Sequence, residues 1–193
     1  MSILNMVGAG PQESRKENDF YPTPVWGTQA LLDREKFTGI IWEPACGDGK
    51  MSEVLKSNGY AVISSDKFDY GYQFAGEQDF LTSEDEHKVD NIVTNPPFKL
   101  GQEFVEKALT IAKNKVAMLL RIQFLEGQNR SAWLAKTPLK YVYVFGKRLN
   151  FNASGGAVLC FAWFVWEVGY TGEPIIRWIS PDNGDKQRKL LTP

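Results

Sequence analysis

Short continuous apolar runs recur along the chain and alternate with stretches of helical periodicity. The runs "GIIWE" (39–43), "AVISSD" (61–66), "VDNIVT" (89–94) and "VAMLLRI" (116–122) predict buried strands. So do "YVYVFGKR" (141–148), "GAVLCFAWFVWEV" (156–168) and, as a short final strand, "PIIRWIS" (174–180). Between them lie helical segments. The first follows the Pro-stiffened "FYPTP" (20–24), with Thr23 as its cap and Pro24 in its first position. "KMSEVLKSNGY" (50–60) is a short helix ended by Asn58–Gly59. In "GQEFVEKALTIAKNK" (101–115), Phe104, Val105, Ala108, Leu109 and Ala112 fall on one helical face. "GQNRSAWLAKT" (127–137) is the fourth helix, stopped by Pro138. Runs that are apolar throughout, alternating with helices, imply an α/β fold: a mostly parallel twisted sheet with helices on both faces. The last two strong strands have no helix between them, so one of them should run antiparallel near the end of the sheet.

Ligands of such sheets bind beyond the carboxyl ends of the strands, which directs attention to the turns. "EPACGDG" (43–49) joins a strand to a helix. Its glycines allow close backbone approach, while Glu43 and Asp48 would repel a phosphate. The loop suits a cationic or hydroxyl-rich ligand, or it is an ordinary tight turn. Asp66 ends the next strand, about twenty residues after that loop, where a nucleoside-binding sheet places an acid for ribose hydroxyls. Asp79 could accept from an adenine amine beside the apolar wall of Phe80, or simply cap a turn.

The strand "VDNIVT" ends in "NPPF" (95–98). Each proline fixes its own φ and lacks an N–H, and each pushes the residue before it into extended backbone. The product is a rigid loop exposing carbonyls and one carboxamide oxygen. Two acceptors held this way can grip both hydrogens of one amino group and favour a pyramidal nitrogen. That exposes a lone pair otherwise conjugated into a ring. Phe98 could stack on a base. Asn95 accepts without burying a charge.

Composition narrows the context. With 193 residues, a single domain with a full core is expected: a flexible arm over 1–19, the folded domain over 20–180 and a polar tail over 181–193. No run suits a bilayer span, and the start does not read as an export signal, so Cys46 and Cys160 read as reduced thiols of a cytoplasmic protein. One histidine, His87, and two cysteines argue against a zinc site. The net charge of −1 hides an asymmetry. Residues 1–120 hold 12 Lys/Arg against 18 Asp/Glu, whereas residues 121–193 hold 10 against 5. A basic C-terminal third is a feature of nucleic-acid-facing surfaces, or a chance fluctuation.

Taken together, "EPACGDG" and "NPPF" resemble the S-adenosylmethionine-dependent DNA amino-methyltransferases, particularly the adenine N6 enzymes. The resemblance spans about residues 20 to 165. It implies that S-adenosylmethionine is the cofactor and that its methionine part meets Glu43, Pro44, Ala45, Cys46 and Gly47. It further implies that Asp66 holds the ribose, Asp79 and Phe80 the adenine, and Tyr21, Thr23 and Pro24 the carboxylate end. Asn95 and the Pro96 carbonyl would orient the target amine, with Pro97 stiffening the loop and Phe98 stacking on a flipped base. Arg121, Lys147, Arg148 and Phe151 are implied substrate contacts, with Gln123, Asn129 and Arg130 as further candidates. The implied partner is nucleic acid, DNA first; cytosine N4, an RNA base or a glutamine amide are the alternative targets, and a non-catalytic cofactor-binding scaffold is the alternative class. The departure from the family is size: no separate target-recognition domain is evident. Small stand-alone forms resemble enzymes of bacteriophages and mobile elements.

Overall fold

The computed structural model describes residues 20–84, 89–151 and 159–181. The expectations placed on the arm 1–19, on His87 and on the tail from 182 onward lie outside the described residues.

Eight strands form one sheet: β1 (Ile40–Glu43), β2 (Ala61–Asp66), β3 (Ala75–Glu77), β4 (Asn91–Thr94), β5 (Lys115–Arg121), β6 (Leu139–Phe145), β7 (Phe161–Glu167) and β8 (Ile175–Ile179). Their order is β3-β2-β1-β4-β5-β7-β6-β8. β7 runs antiparallel to both of its neighbours, β5 and β6, and the other pairings are parallel. This is a Rossmann-like methyltransferase fold, with the expected reversed strand inserted as a hairpin partner.

The helices are α1 (Val25–Leu32), α2 (Lys50–Ser57), α3 (Gly101–Ile111) and α4 (Gln128–Leu134). α1 and α2 cover one face through Leu31, Met51 and Leu55, against Ile41, Val93 and Leu119. α3 and α4 cover the other through Phe104, Val105 and Leu134, against Trp42, Ile92 and Met118. Successive residues of β5 and β7 therefore serve opposite cores. Val116, Met118 and Leu120 point one way and Ala117 and Leu119 the other. This is the physical reason why the central strands are apolar without interruption. The aromatics of "FAWFVWE" are buried, and the Trp163 indole donates to the Gly27 carbonyl at 2.8 Å, tying α1 to β7.

Two local expectations are corrected. Pro24 is not the first helical residue but precedes α1, and its carbonyl accepts from the Gly27 N–H at 2.8 Å. Thr23 does not cap that helix; its hydroxyl is used elsewhere, as described below. The stretch after β2, rich in Gly, Tyr and Phe, contains the short strand β3. Trp178 is 61% exposed on β8. Of the two free thiols, Cys46 is buried and Cys160 exposed. Among the described residues no helix is long and apolar enough to cross a membrane, and no cluster of metal-ligating side chains occurs.

Candidate active site

The parallel strands end on one edge of the sheet, with Glu43, Asp66 and Thr94 as their last residues and Arg121 paired to Phe161 beside them. Above β1, β2 and β4 lies a cavity of about 580 Å³, within the range of small-molecule sites. Of the residues expected at the cofactor, Tyr21, Thr23, Glu43, Pro44, Ala45 and Cys46 line this cavity, as do Gly47, Asp66, Asp79, Phe80 and Asn95. Pro24 does not. Of the catalytic loop, Asn95 and Pro97 reach it, while Pro96 is buried and Phe98 faces elsewhere.

The floor is acidic. Glu43 is 2% exposed, and one of its carboxylate oxygens accepts from the Ser52 hydroxyl, which also pairs with Ser64 at 2.6 Å. Burial pushes its carboxyl well above the usual range, Ser52 pulls it down, and Asp66 and Asp48 push it further up. Asp66 accepts from the Gly47 N–H at 2.8 Å and the Phe68 N–H at 3.1 Å. Its carboxyl is likewise raised, chiefly by burial, against those hydrogen bonds. A carboxylate offers about four lone-pair sites, so Asp66 keeps acceptor capacity toward the cavity. Asp48 and Asp79 have cations of their own, Lys50 at 2.7 Å and Lys67 at 2.9 Å. The Lys67 contact holds the Asp79 carboxyl below its ordinary value, and the Leu81 N–H also binds it, at 3.0 Å. Asp79 is therefore a turn cap as well as part of the wall. The Cys46 thiol, pushed up to about 12 by burial and the neighbouring acids, packs rather than reacts at neutral pH.

The acidic loop is closed from above by the segment that enters α1. Gly47 has φ 52°, and a Cβ there would lie 2.3 Å from the Phe20 ring. Phe20 in turn stacks on Tyr70 with centroids 4.3 Å apart. No sequence signal assigned Tyr70 to the site, whereas Phe20 opens the "FYPTP" segment, which the resemblance places over the methionine end of the cofactor.

Asn95 is fixed by its donor end. Its Nδ2 donates to the Tyr21 carbonyl at 2.9 Å and to the Thr23 hydroxyl at 3.1 Å. Its Oδ1 is buried and has no hydrogen-bond partner among the described residues. Both donor hydrogens are thus used, and the acceptor of this cavity-lining residue is left without a partner among the described residues. A buried unpartnered acceptor costs about 1–3 kcal/mol and calls for a ligand donor or another function.

Phe98 packs into an aromatic cluster. Tyr21 stacks on it at 5.5 Å, Phe161 lies tilted at 5.2 Å, and the Arg121 guanidinium sits 4.6 Å from the ring centroid. Phe151 meets both Tyr21 and Phe161 edge-on. Lys147 and Arg148 are exposed on the loop after β6 and line neither this cavity nor its neighbour. Asn129 is exposed and lines neither one, whereas Arg121, Gln123 and Arg130 share a second, smaller cavity.

The donor set fits S-adenosylmethionine. Glu43 and Asp66, with no cation paired to them among the described residues, suit an ammonium or sulfonium charge and ribose hydroxyls. The close approach at Gly47 and the aromatic rings leave room for a flat, partly apolar ligand.

No protein-family model matches the chain, and no curated protein matches it in sequence. Solved structures do match in fold. One is a type I restriction-modification system methyltransferase subunit from Streptococcus thermophilus, with a TM-score of 0.60 and 15% identity, covering 83% of this chain and 47% of that one. A dimethyladenosine transferase from Plasmodium falciparum gives a TM-score of 0.54 at 14% identity, covering 77% of this chain and 62% of that one. Magnesium protoporphyrin IX methyltransferase from Synechocystis PCC 6803, solved with bound SAM, gives 0.51 at 10%, covering 72% and 74%. This chain spans about half the length of the restriction-modification subunit.

Proposed function

We propose that the protein transfers a methyl group from S-adenosylmethionine to the exocyclic N6 amine of adenine in DNA. One observation carries the reading: Asn95 lines an acid-lined cavity, and its carboxamide is anchored through Nδ2 so that its buried Oδ1 is left without a partner among the described residues. When bound, the cofactor supplies an electrophilic methyl group on a cationic sulfur. Glu43 and Asp66 hold it, and the strap from Phe20 to Thr23 covers it. Asn95 Oδ1 and the carbonyl of the now buried Pro96 would accept the two amine hydrogens and turn the nitrogen lone pair toward the methyl group; the sulfur would leave as a neutral thioether, and the surplus amine proton would pass to water. The prolines keep both acceptors in place, and the asparagine does so without adding a charge.

Stacking of the target base on Phe98 requires that ring to be uncovered, by displacing Arg121 or Tyr21 from its surface. A base in duplex must also be extruded, at a cost of a few kcal/mol that a single strand avoids. A second reading, an adenine in RNA, fits the fold likeness to a dimethyladenosine transferase as well as DNA does. The Asn-first loop leans toward adenine over cytosine, and the basic residues after position 120 lean toward nucleic acid over protein.

The test is label transfer. The protein is incubated with methyl-labelled cofactor and, separately, duplex DNA, single-stranded DNA, RNA and a protein extract, and the modified base is identified by mass spectrometry. N6-methyladenine in DNA is the expected product. Label confined to RNA would shift the substrate to the second reading, and label confined to protein would overturn the nucleic-acid assignment.

A further inference from the structure

Beside the NPPF loop lies a second cavity, of about 160 Å³, on the far side of Phe98. Its walls are Arg121, Arg130, Lys99 and Gln123, with the rings of Phe98 and Phe124. The two arginines are built alike. The Arg121 guanidinium carbon lies 4.6 Å from the Phe98 ring centroid, and that of Arg130 lies 4.9 Å from the Phe124 centroid. Stacking of this kind fixes the plane of a guanidinium without neutralising it. Neither arginine is ion-paired to a carboxylate among the described residues. In both, the Nε–H is buried with no hydrogen-bond partner among the described residues. Two like charges and two orphaned donors around one small cavity are unfavourable unless an anion enters. Planar forks of this sort suit the oxygens of a phosphate.

We infer that this cavity is an oxyanion site taking a backbone phosphate of the substrate strand next to the target base. The site rests on the nucleic-acid reading of the neighbouring cavity. Lys99 lines both cavities, so a strand with its base at Asn95 and a phosphate at Arg121 would cross a continuous basic ledge. Filling the site also draws on the arginine that now covers Phe98. A phosphate pulling Arg121 toward itself would free the ring face that base stacking needs, so phosphate capture and base entry are coupled.

Two measurements test this. The first follows binding of a labelled mixed-sequence single-stranded DNA by fluorescence anisotropy from low to high salt. The proteins compared are wild type, Arg130→Gln, Arg121→Gln/Arg130→Gln and Arg121→Lys/Arg130→Lys. Each phosphate left without its arginine should flatten the log–log salt slope by about 0.7. With one phosphate in the site, the double glutamine variant should therefore flatten it by about 0.7 and Arg130→Gln by part of that, while the double lysine variant keeps most of the slope. A purely structural role would lower affinity without changing the slope. The second measures inorganic pyrophosphate binding by calorimetry, where the wild type should bind and the double glutamine variant should not. Thermal melts verify folding, and Arg130→Gln alone carries the test if the double variant is unfolded. Strand binding with an unchanged slope in the variants would overturn the phosphate site and leave the function reading intact. Pyrophosphate binding without any strand binding would keep an anion site but overturn its assignment to nucleic acid, and the function reading with it. Variants that bind both ligands as the wild type does would overturn the site outright.

Discussion

Thr23 holds Asn95: the hydroxyl that the sequence suggests as a helix cap instead accepts a hydrogen from the Asn95 carboxamide at 3.1 Å, across 72 residues of chain. With the Tyr21 carbonyl, it decides which end of the amide is left unpartnered. Thr23→Val keeps the shape and removes the acceptor. One net hydrogen bond is worth about 1 kcal/mol, so kcat should fall about fivefold with cofactor affinity nearly unchanged. Asn95→Ala should cost about 10²-fold or more in kcat. Steady-state kinetics with equilibrium cofactor binding checks both. A Thr23→Val variant that bound cofactor more weakly but kept kcat at saturation would assign Thr23 to the cofactor alone.

Gly47 and Phe20 define a second dependence. Gly47→Ala places a methyl group where the Phe20 ring now lies, and asks an L-residue to adopt φ 52°. The backbone part costs about 1–2 kcal/mol. The steric part displaces the strap, so cofactor affinity should drop as well. Adding Phe20→Ala removes the clash but not the backbone strain. The double variant should therefore regain stability only in part, as measured by urea unfolding of both single variants and the pair. Full recovery in the pair would mean that φ strain is negligible.

These two contacts also show what the chain discloses by itself. The central strands are readable because both of their faces are buried, so each is apolar without a break. "EPACGDG" and "NPPF" are readable because their chemistry lies within a few consecutive residues. The role of Thr23 is hidden because a hydroxyl before a helix has a local partner in view and a distant one out of view. β3, "AGE", carries no apolar signal and exists through its pairing with β2. The crowding of Phe98 by Tyr21, Phe161 and Arg121 is tertiary throughout, and the roles of Phe20 and Tyr70 depend on a close approach to Gly47 that no spacing encodes.

Toward the opposite edge of the sheet, Glu35 is 4% exposed and accepts from Lys115 at 2.7 Å and from the Tyr143 hydroxyl at 2.5 Å. An exposed pair contributes up to about 1 kcal/mol, whereas breaking a buried one costs about 3–5 kcal/mol. Glu35→Ala should fall between the two, because it strands the buried Tyr143 phenol, whereas the Lys115 ammonium keeps the Lys36 carbonyl at 3.2 Å and Glu167 at 3.7 Å. Urea unfolding should report the drop in stability, and cofactor affinity measured on the folded fraction should stay at the wild-type value. A change of less than about 1 kcal/mol would mean that water replaces the carboxylate.

Glu43 gives the pH dependence. Its folded carboxyl is raised well above the ordinary 4.5, first by burial. Between the ordinary value and the raised one, the folded chain keeps a proton that the unfolded chain has released. Stability therefore falls as pH rises through that window, and Asp66, also raised by burial, acts in the same direction. Glu43→Gln stays neutral in both states, so its unfolding free energy should decline less from about pH 5 to about pH 8 than that of the wild type. Ligand binding has the opposite sign. A cationic cofactor favours the ionised carboxylate, so binding expels a proton and wild-type affinity should rise with pH over the same window. The glutamine variant should lack that rise and bind more weakly at the alkaline end. Calorimetry in buffers of different ionisation enthalpy would count the proton released. A wild-type affinity flat across the window, with no proton released, would place the cofactor's positive charge away from Glu43.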